Sequence, residues 1–192
     1  MNKKKQRIGI LGGTFNPIHN GHLIIANQAY DQLELDKVLF LPDYIPPHVD
    51  KKEAISANKR VEMIEKSIEN YKQFDIELLE IERKGKSYTY DTIKKLIEIN
   101  PNVEYYFIIG GDMVDYLPKW YRIKDLFDMI NFVGVKRLGS SGKSNENILW
   151  IDCPLIQISS SLIRDYIQKN KSIEFLVPEK VNKFIKEHHL YE

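Results

Sequence analysis

The chain has a single cysteine, Cys153, in 192 residues. That excludes an internal disulfide framework and a multi-cysteine zinc site, and it fits a reducing compartment. Net charge is almost absent, with 28 Lys and Arg against 27 Asp and Glu. No global field therefore draws the chain to nucleic acid or to an anionic membrane, and any anion must be held by a local site. Long hydrophobic runs are missing too, since none approaches the ~18 residues of a membrane span. The segment Lys3-Lys4-Lys5-Gln6-Arg7 resembles the charged start of an export signal. The apolar stretch behind it, Ile8 to Leu11, stops at Gly12-Gly13, short of the ~7–15 residues such a signal needs. A solvated tail over residues 1–6, leading into a first strand of a cytoplasmic protein, is the expectation.

What is present suits a globular fold. Apolar residues make up 43% before the ten glycines are counted, enough for a sizeable core in one domain. There is no internal repeat and no interdomain linker. Short apolar runs alternate with segments of helical period. The runs are Ile8–Leu11, Val38–Leu41, Val103–Ile109, Asn131–Val135 and Ile148–Ile151, and Phe74–Leu79 is a further candidate strand. Helical spacing marks His22–Leu33, Asn58–Asn70, Tyr90–Ile99, Ser160–Gln168 and Pro178–His188. Continuous apolar strands separated by helices indicate an α/β fold, a parallel sheet buried on both faces. Ligands in such folds sit beyond the carboxyl ends of the strands. Gly12-Gly13, Pro42-Asp43 and Gly110-Gly111-Asp112 all lie there. Residues 136–147, rich in Ser, Gly, Lys and Asn, read as a mobile surface loop.

The densest constellation runs from Gly12 to His22, Gly-Gly-Thr-Phe-Asn-Pro-Ile-His-Asn-Gly-His. Glycines after a strand allow close backbone approach to a phosphate, and the following helix start offers free N–H groups and a positive dipole end. His19 and His22, three apart at that start, can aim ring nitrogens at the same anion and stabilise charge growing on phosphorus. A zinc pair is the competing use, but no third ligand is nearby. A hairpin at Asn20-Gly21 is another, but its flanks lack strand alternation. A second constellation, Ile158 to Arg164, opens a helix with serines, as N-caps do, and places Arg164 a turn further on. Hydroxyls, helix N–H groups and a guanidinium together suit a triphosphate tail.

The first string resembles the His-x-Gly-His signature of the adenylyl/cytidylyl nucleotidyltransferase superfamily, and Ile158–Arg164 resembles its second motif. Further stretches resemble one family within it, the bacterial nicotinate-nucleotide adenylyltransferases. They are Pro46-Pro47-His48, Arg60 with Met63, Ser87-Tyr88-Thr89-Tyr90-Asp91-Thr92, Phe107 to Asp112, Leu117-Pro118-Lys119-Trp120-Tyr121, Phe175-Leu176-Val177-Pro178, and Val181 with Phe184-Ile185. The resemblance runs in order from about Arg7 onward. It implies a Rossmann-like, doubly wound, three-layer α/β/α domain covering the whole chain. It implies adenylyl transfer from ATP to the 5′-phosphate of nicotinate mononucleotide, with His19, His22 and Arg164 as catalytic residues. ATP would be bound by Gly12, Gly13, Thr14, Phe15, Gly21, His22, Gly110, Asp112, Ile158, Ser159, Ser160 and Arg164. The mononucleotide would be bound by Thr14, His48, Ser87, Tyr88, Thr89, Tyr116, Trp120 and Arg137, with Trp120 stacked on the pyridine ring. Read from the sequence alone, Trp120 is equally a core residue under a loop.

Three positions depart from the family pattern: Asn16 where many members have Asp, Val49 where a basic residue commonly follows, and Leu138 where a Pro shapes an Arg-Pro-Gly turn. An attacking phosphate is already an anion and needs no general base. Alignment and charge neutralisation should then do the catalysis. Mg²⁺ is expected to bridge phosphate oxygens, with water rather than a carboxylate cage completing its shell. No metal ligands are assigned to the protein, and a homodimer is the assembly considered. Two alternatives share parts of the pattern. A pantetheine-phosphate adenylyltransferase or cytidylyltransferase would lack the Ser-Tyr-Thr-Tyr-Asp-Thr and Pro-Lys-Trp-Tyr segments. A redox dinucleotide-binding domain would need a Gly-x-Gly-x-x-Gly turn that is absent here.

Overall fold

The computed structural model describes residues 5–45, 54–135, 148–154 and 156–192, with Asp112 described by its backbone alone. Expectations for residues 1–4, Pro46-Pro47-His48, Val49 and residues 136–147, with Arg137 and Leu138, lie outside the described residues.

The elements in chain order are β1 (Gln6–Gly13), α1 (Asn20–Gln32), β2 (Lys37–Pro42), α2 (Ala57–Ile68), β3 (Phe74–Ile76), α3 (Leu79–Arg83) and α4 (Thr89–Ile99). There follow β4 (Val103–Gly110), α5 (Gly111–Val114), a 3₁₀ turn (Leu117–Lys119), α6 (Ile123–Met129), β5 (Asn131–Val135), β6 (Ile148–Ile151), α7 (Ser160–Gln168) and α8 (Glu179–Glu187). Six strands pair in parallel in the order β3-β2-β1-β4-β5-β6. The order reverses between β1 and β4, which opens a crevice at their carboxyl ends.

The pleat explains the two cores. Ile8 and Ile10 of β1 join Tyr105, Phe107 and Ile109 of β4 on one face, under α4 and α6. Leu11, Tyr106 and Ile108 point to the opposite face, where α1, α2, α7 and α8 cover them. Both faces are buried, as the unbroken apolar runs required. The sheet with helices on either side is the expected doubly wound α/β arrangement.

Two expectations are corrected. Gln6 is not in a tail: it opens β1 and pairs with Val103. The run Phe74–Leu79 is a strand only to Ile76. Beyond it the Glu77 carboxylate accepts the Leu79 N–H at 3.0 Å, and Leu79 starts α3. An apolar pair, Leu78-Leu79, had no way to announce that turn by periodicity.

Candidate active site

The first constellation follows β1. The directions in which a Cβ would project from Gly12 and Gly13 are filled by rings of the protein itself. A Cβ on Gly12 would lie 2.9 Å from Phe107 Cζ, and one on Gly13 would lie 3.2 Å from Phe15 Cζ. These glycines therefore seat aromatic neighbours, a reason for them that the sequence reading did not supply. Phe15 takes a left-handed backbone (φ 49°) and is 2% exposed. Its ring meets His22 edge-on at 5.0 Å and leans on Phe40 at 5.8 Å. The Asn16–Pro17 bond is cis.

His19 is the N-cap of α1 and is buried, its ring stacked on that of His22 at 3.6 Å and 22°. His22 Nδ1 accepts the His19 backbone N–H at 3.2 Å. With Nδ1 occupied as an acceptor, the proton of a neutral His22 ring sits on Nε2. Gly21 leaves little room here, because a Cβ would lie 3.0 Å from His19 Nδ1 and would press that ring back by a few tenths of an ångström.

The second constellation docks on the first. Ser159 caps α7 by accepting the Leu162 N–H at 3.1 Å. Ser160 donates its hydroxyl to the Pro17 carbonyl at 2.9 Å. Arg164 gives one guanidinium bond to the Asn16 carbonyl at 2.8 Å and another to Ser161 Oγ at 3.3 Å. Ile158 Cβ lies 3.8 Å from the Cβ position of Gly21. The structure thus gathers His19, Gly21, His22, Ile158, Ser159, Ser160 and Arg164 at one mouth, where two helix N-termini meet. Ser160 spends its proton on the protein, so Ser159 is the hydroxyl with a proton to offer an anion.

The other expected half lies across the crevice. Gly110 ends β4 and pairs with Val135, with the backbone of Asp112 in the turn that follows. Ser87 is 5% exposed and its Oγ accepts the Tyr44 N–H at 2.9 Å, tying the exit of β2 to the start of α4. Tyr88 is the N-cap of α4 and Thr89 its first residue, so first-turn N–H groups are presented there. Trp120 is half-buried, edge-on to Phe107 at 5.8 Å and to Phe132 at 6.1 Å. It is braced by the core and still reaches the surface. Tyr116 is 55% exposed, with the Lys119 ammonium 5.0 Å over its ring.

Three residues given no role by the sequence hold the site from beneath. Arg60 is 2% exposed. It donates to the carbonyls of Thr14 (2.7 Å), Asp43 (2.9 Å) and Ile55 (3.3 Å). Its guanidinium also lies 3.6 Å from the Asp43 carboxylate, which accepts the Thr14 hydroxyl at 2.8 Å. Burial pulls the Arg60 pKa below its ordinary value, and Asp43 opposes that. The spacing 60, 64, 68 with Ile64 and Ile68 placed Arg60 on the buried stripe of α2, and that was the available signal. Tyr191 donates to Asn16 Oδ1 at 2.9 Å from 175 residues away. Glu80 is 4% exposed and accepts the Thr92 hydroxyl at 2.7 Å. Burial raises its pKa, against hydrogen bonds from Thr92 and Ser87 and the charge of Arg83.

Among the described residues no group of three His, Cys, Asp or Glu is placed to hold a metal, and no helix is long and apolar enough to cross a membrane.

The family model described as cytidylyltransferase-like matches residues 10–166. A Streptococcus pneumoniae protein named "Probable nicotinate-nucleotide adenylyltransferase" is 53% identical over 189 residues, covering 98% of this chain and 90% of its own. A Lactiplantibacillus plantarum protein of the same name is 54% identical over 187 residues, covering 97% and 89%. Among solved structures, Plasmodium falciparum nicotinic acid mononucleotide adenylyltransferase complexed with NaAD superposes with a TM-score of 0.80 at 22% identity, covering 97% of each chain. The same Plasmodium enzyme complexed with APC gives 0.78 at 19%. At those identities the two structures speak for the fold, and the fold agrees. With both motifs meeting at one mouth and full-length relatives above 50% identity, the chain belongs to the nicotinate-nucleotide adenylyltransferase family.

Proposed function

We propose that this chain transfers the adenylyl group of ATP to the 5′-phosphate of nicotinate mononucleotide, releasing pyrophosphate and forming deamido-NAD. The observation that carries the reading is the docking of α7 on the loop before α1. Arg164 and Ser160 bond the carbonyls of Asn16 and Pro17, beside the stacked His19 and His22. This mouth lies at the carboxyl end of β1, beside the point where the strand order reverses.

In this mechanism the mononucleotide phosphate attacks the α-phosphorus in line and the bond to the pyrophosphate oxygen breaks. The attacking oxygen arrives ionised, so no side chain needs to take a proton. His22 donates from Nε2, Arg164 contributes its fixed charge, and the helix N-termini contribute N–H groups where negative charge builds up. The His19 ring backs His22 and limits its motion. On the far side Trp120 offers a face to the pyridine ring. First-turn N–H groups of α4 suit both oxygens of a nicotinate carboxylate. The mononucleotide set Thr14, His48, Ser87, Tyr88, Thr89, Tyr116, Trp120 and Arg137 remains part of the proposal, as does Asp112 toward ATP. Ser87 also braces that side, its Oγ accepting the Tyr44 N–H.

The donors at the mouth are imidazole, guanidinium, hydroxyl and backbone N–H, which suit phosphate oxygens and not a hard cation. Mg²⁺ would therefore ride on the ATP phosphates with few or no protein ligands, where it neutralises polyphosphate charge. The proposal takes the whole chain as one domain, working in the cytoplasm, with a homodimer to be checked by light scattering.

A pyrophosphate-release assay pairing ATP or CTP with a panel of mononucleotides tests the reading. Release with ATP and nicotinate mononucleotide is expected. Release only with CTP, or only with phosphopantetheine as acceptor, would refute it.

A further inference from the structure

We infer that Tyr191 is a positioning residue for the triphosphate half of the site, acting through Asn16 on Arg164. The inference rests on the adenylyl-transfer reading above. Asn16 is 3% exposed and sits where three distant parts of the chain converge. Its side-chain oxygen accepts the Tyr191 hydroxyl at 2.9 Å and the Ile55 N–H at 3.4 Å. Its carbonyl accepts Arg164 Nη1 at 2.8 Å. Side-chain oxygen and carbonyl belong to one residue, so the Tyr191 bond that anchors the Asn16 side chain also steadies the residue whose carbonyl aims Arg164.

Backbone geometry supports the same account. Phe15 (φ 49°) and Tyr191 (φ 71°) are both in the left-handed region, which residues with a Cβ seldom occupy unless their surroundings hold them there. They lie on either side of this hydrogen bond. The Tyr191 ring packs against the core cluster that includes Phe15 and Ile163. Packing accounts for the ring. It does not account for a hydroxyl turned inward to an amide oxygen when water was available. Burial pushes the phenol pKa up, against the nearby Arg164 and Arg60 charges, so the hydroxyl keeps its proton throughout the working range.

Tyr191→Phe removes the hydroxyl and keeps the ring. Losing one such hydrogen bond should raise the Michaelis constant for ATP by roughly 2- to 12-fold. The constant for nicotinate mononucleotide should not change, and the melting temperature should fall by no more than about 4 °C. In an Arg164→Lys background the same substitution should have less than about a twofold effect, because the two act in series. An unchanged ATP constant, equal rises for both substrates, or a full effect in the Arg164→Lys background would overturn the inference. So would a melting temperature lowered by more than about 10 °C, which would make the hydroxyl a general prop of the fold. Wild-type protein inactive with ATP and nicotinate mononucleotide would remove the parent reading and this one with it. An active wild type with an indifferent Tyr191→Phe removes this one alone.

Discussion

Replacing Gly21 with alanine adds one methyl group at the most crowded point of the mouth. The new Cβ would sit 3.0 Å from Nδ1 and 3.1 Å from Cε1 of His19. Those distances require the imidazole to retreat by a few tenths of an ångström. His19 is 3% exposed and stacked 3.6 Å from His22, so its retreat displaces the second ring as well. Stability should hardly notice. Alanine in a helix is favoured over glycine by about 0.5–1 kcal/mol, which offsets the contact. The melting temperature should stay within about 2–4 °C of wild type. Catalysis should notice, because complete loss of a charge-stabilising donor costs about 2.7–4 kcal/mol. If misalignment forfeits half of that, about 1.4–2 kcal/mol is lost, roughly 10- to 30-fold in turnover. The assay is pyrophosphate release at saturating ATP and nicotinate mononucleotide, with a thermal melt of the same preparation. Turnover within twofold of wild type would show that the imidazole pair needs no such exact seat, and the reasoning would fail.

Three further outcomes are expected. His22→Ala should lose roughly 10²–10³ in turnover and stay folded with a modestly lowered melting temperature, since the ring supplies the Nε2 donor and also caps α1 and packs on His19 and Phe15; a folded, fully active variant would contradict that role. Trp120→Ala should raise the Michaelis constant for the mononucleotide roughly 5- to 150-fold and leave that for ATP alone, as measured by initial rates. Preference for nicotinate over nicotinamide mononucleotide should survive it. Glu80→Gln should melt higher than wild type at pH 7, by a margin that shrinks toward pH 4. The reason is that the raised pKa makes the folded state hold the Glu80 proton more tightly than the unfolded chain, whose value is near 4.5. Stability from that proton is present below the unfolded value and is lost as pH rises through the folded one. A difference in melting temperature independent of pH would refute the assignment.

The sequence revealed much of this because the informative signals were local. Strands β5 and β6 and helix α7 fall where their apolar runs and serine cap placed them. The two phosphate motifs carried their own geometry in consecutive residues. What stayed hidden depends on partners far along the chain. Arg60 bonds backbone carbonyls, and every residue has one, so no residue type marks the partner in advance. Tyr191 reaches Asn16 across 175 positions. The Cβ direction of Gly12 is filled by Phe107, whose ring in turn braces Trp120, a second reason for a glycine there that its neighbours in sequence do not show.

Arg60 has a consequence for the entropy of the reaction. Its guanidinium joins the carbonyl of Thr14, leaving β1, to that of Asp43, leaving β2. The loops that follow β1 and β2, on one side of the crevice, are thereby tied to each other by a buried group. Bringing two anionic reactants into line demands a large loss of translational and rotational freedom, and a loose scaffold would add its own disorder to that loss. Here the interval between the loops is fixed once, when the chain folds, and is not set again at each encounter with substrate.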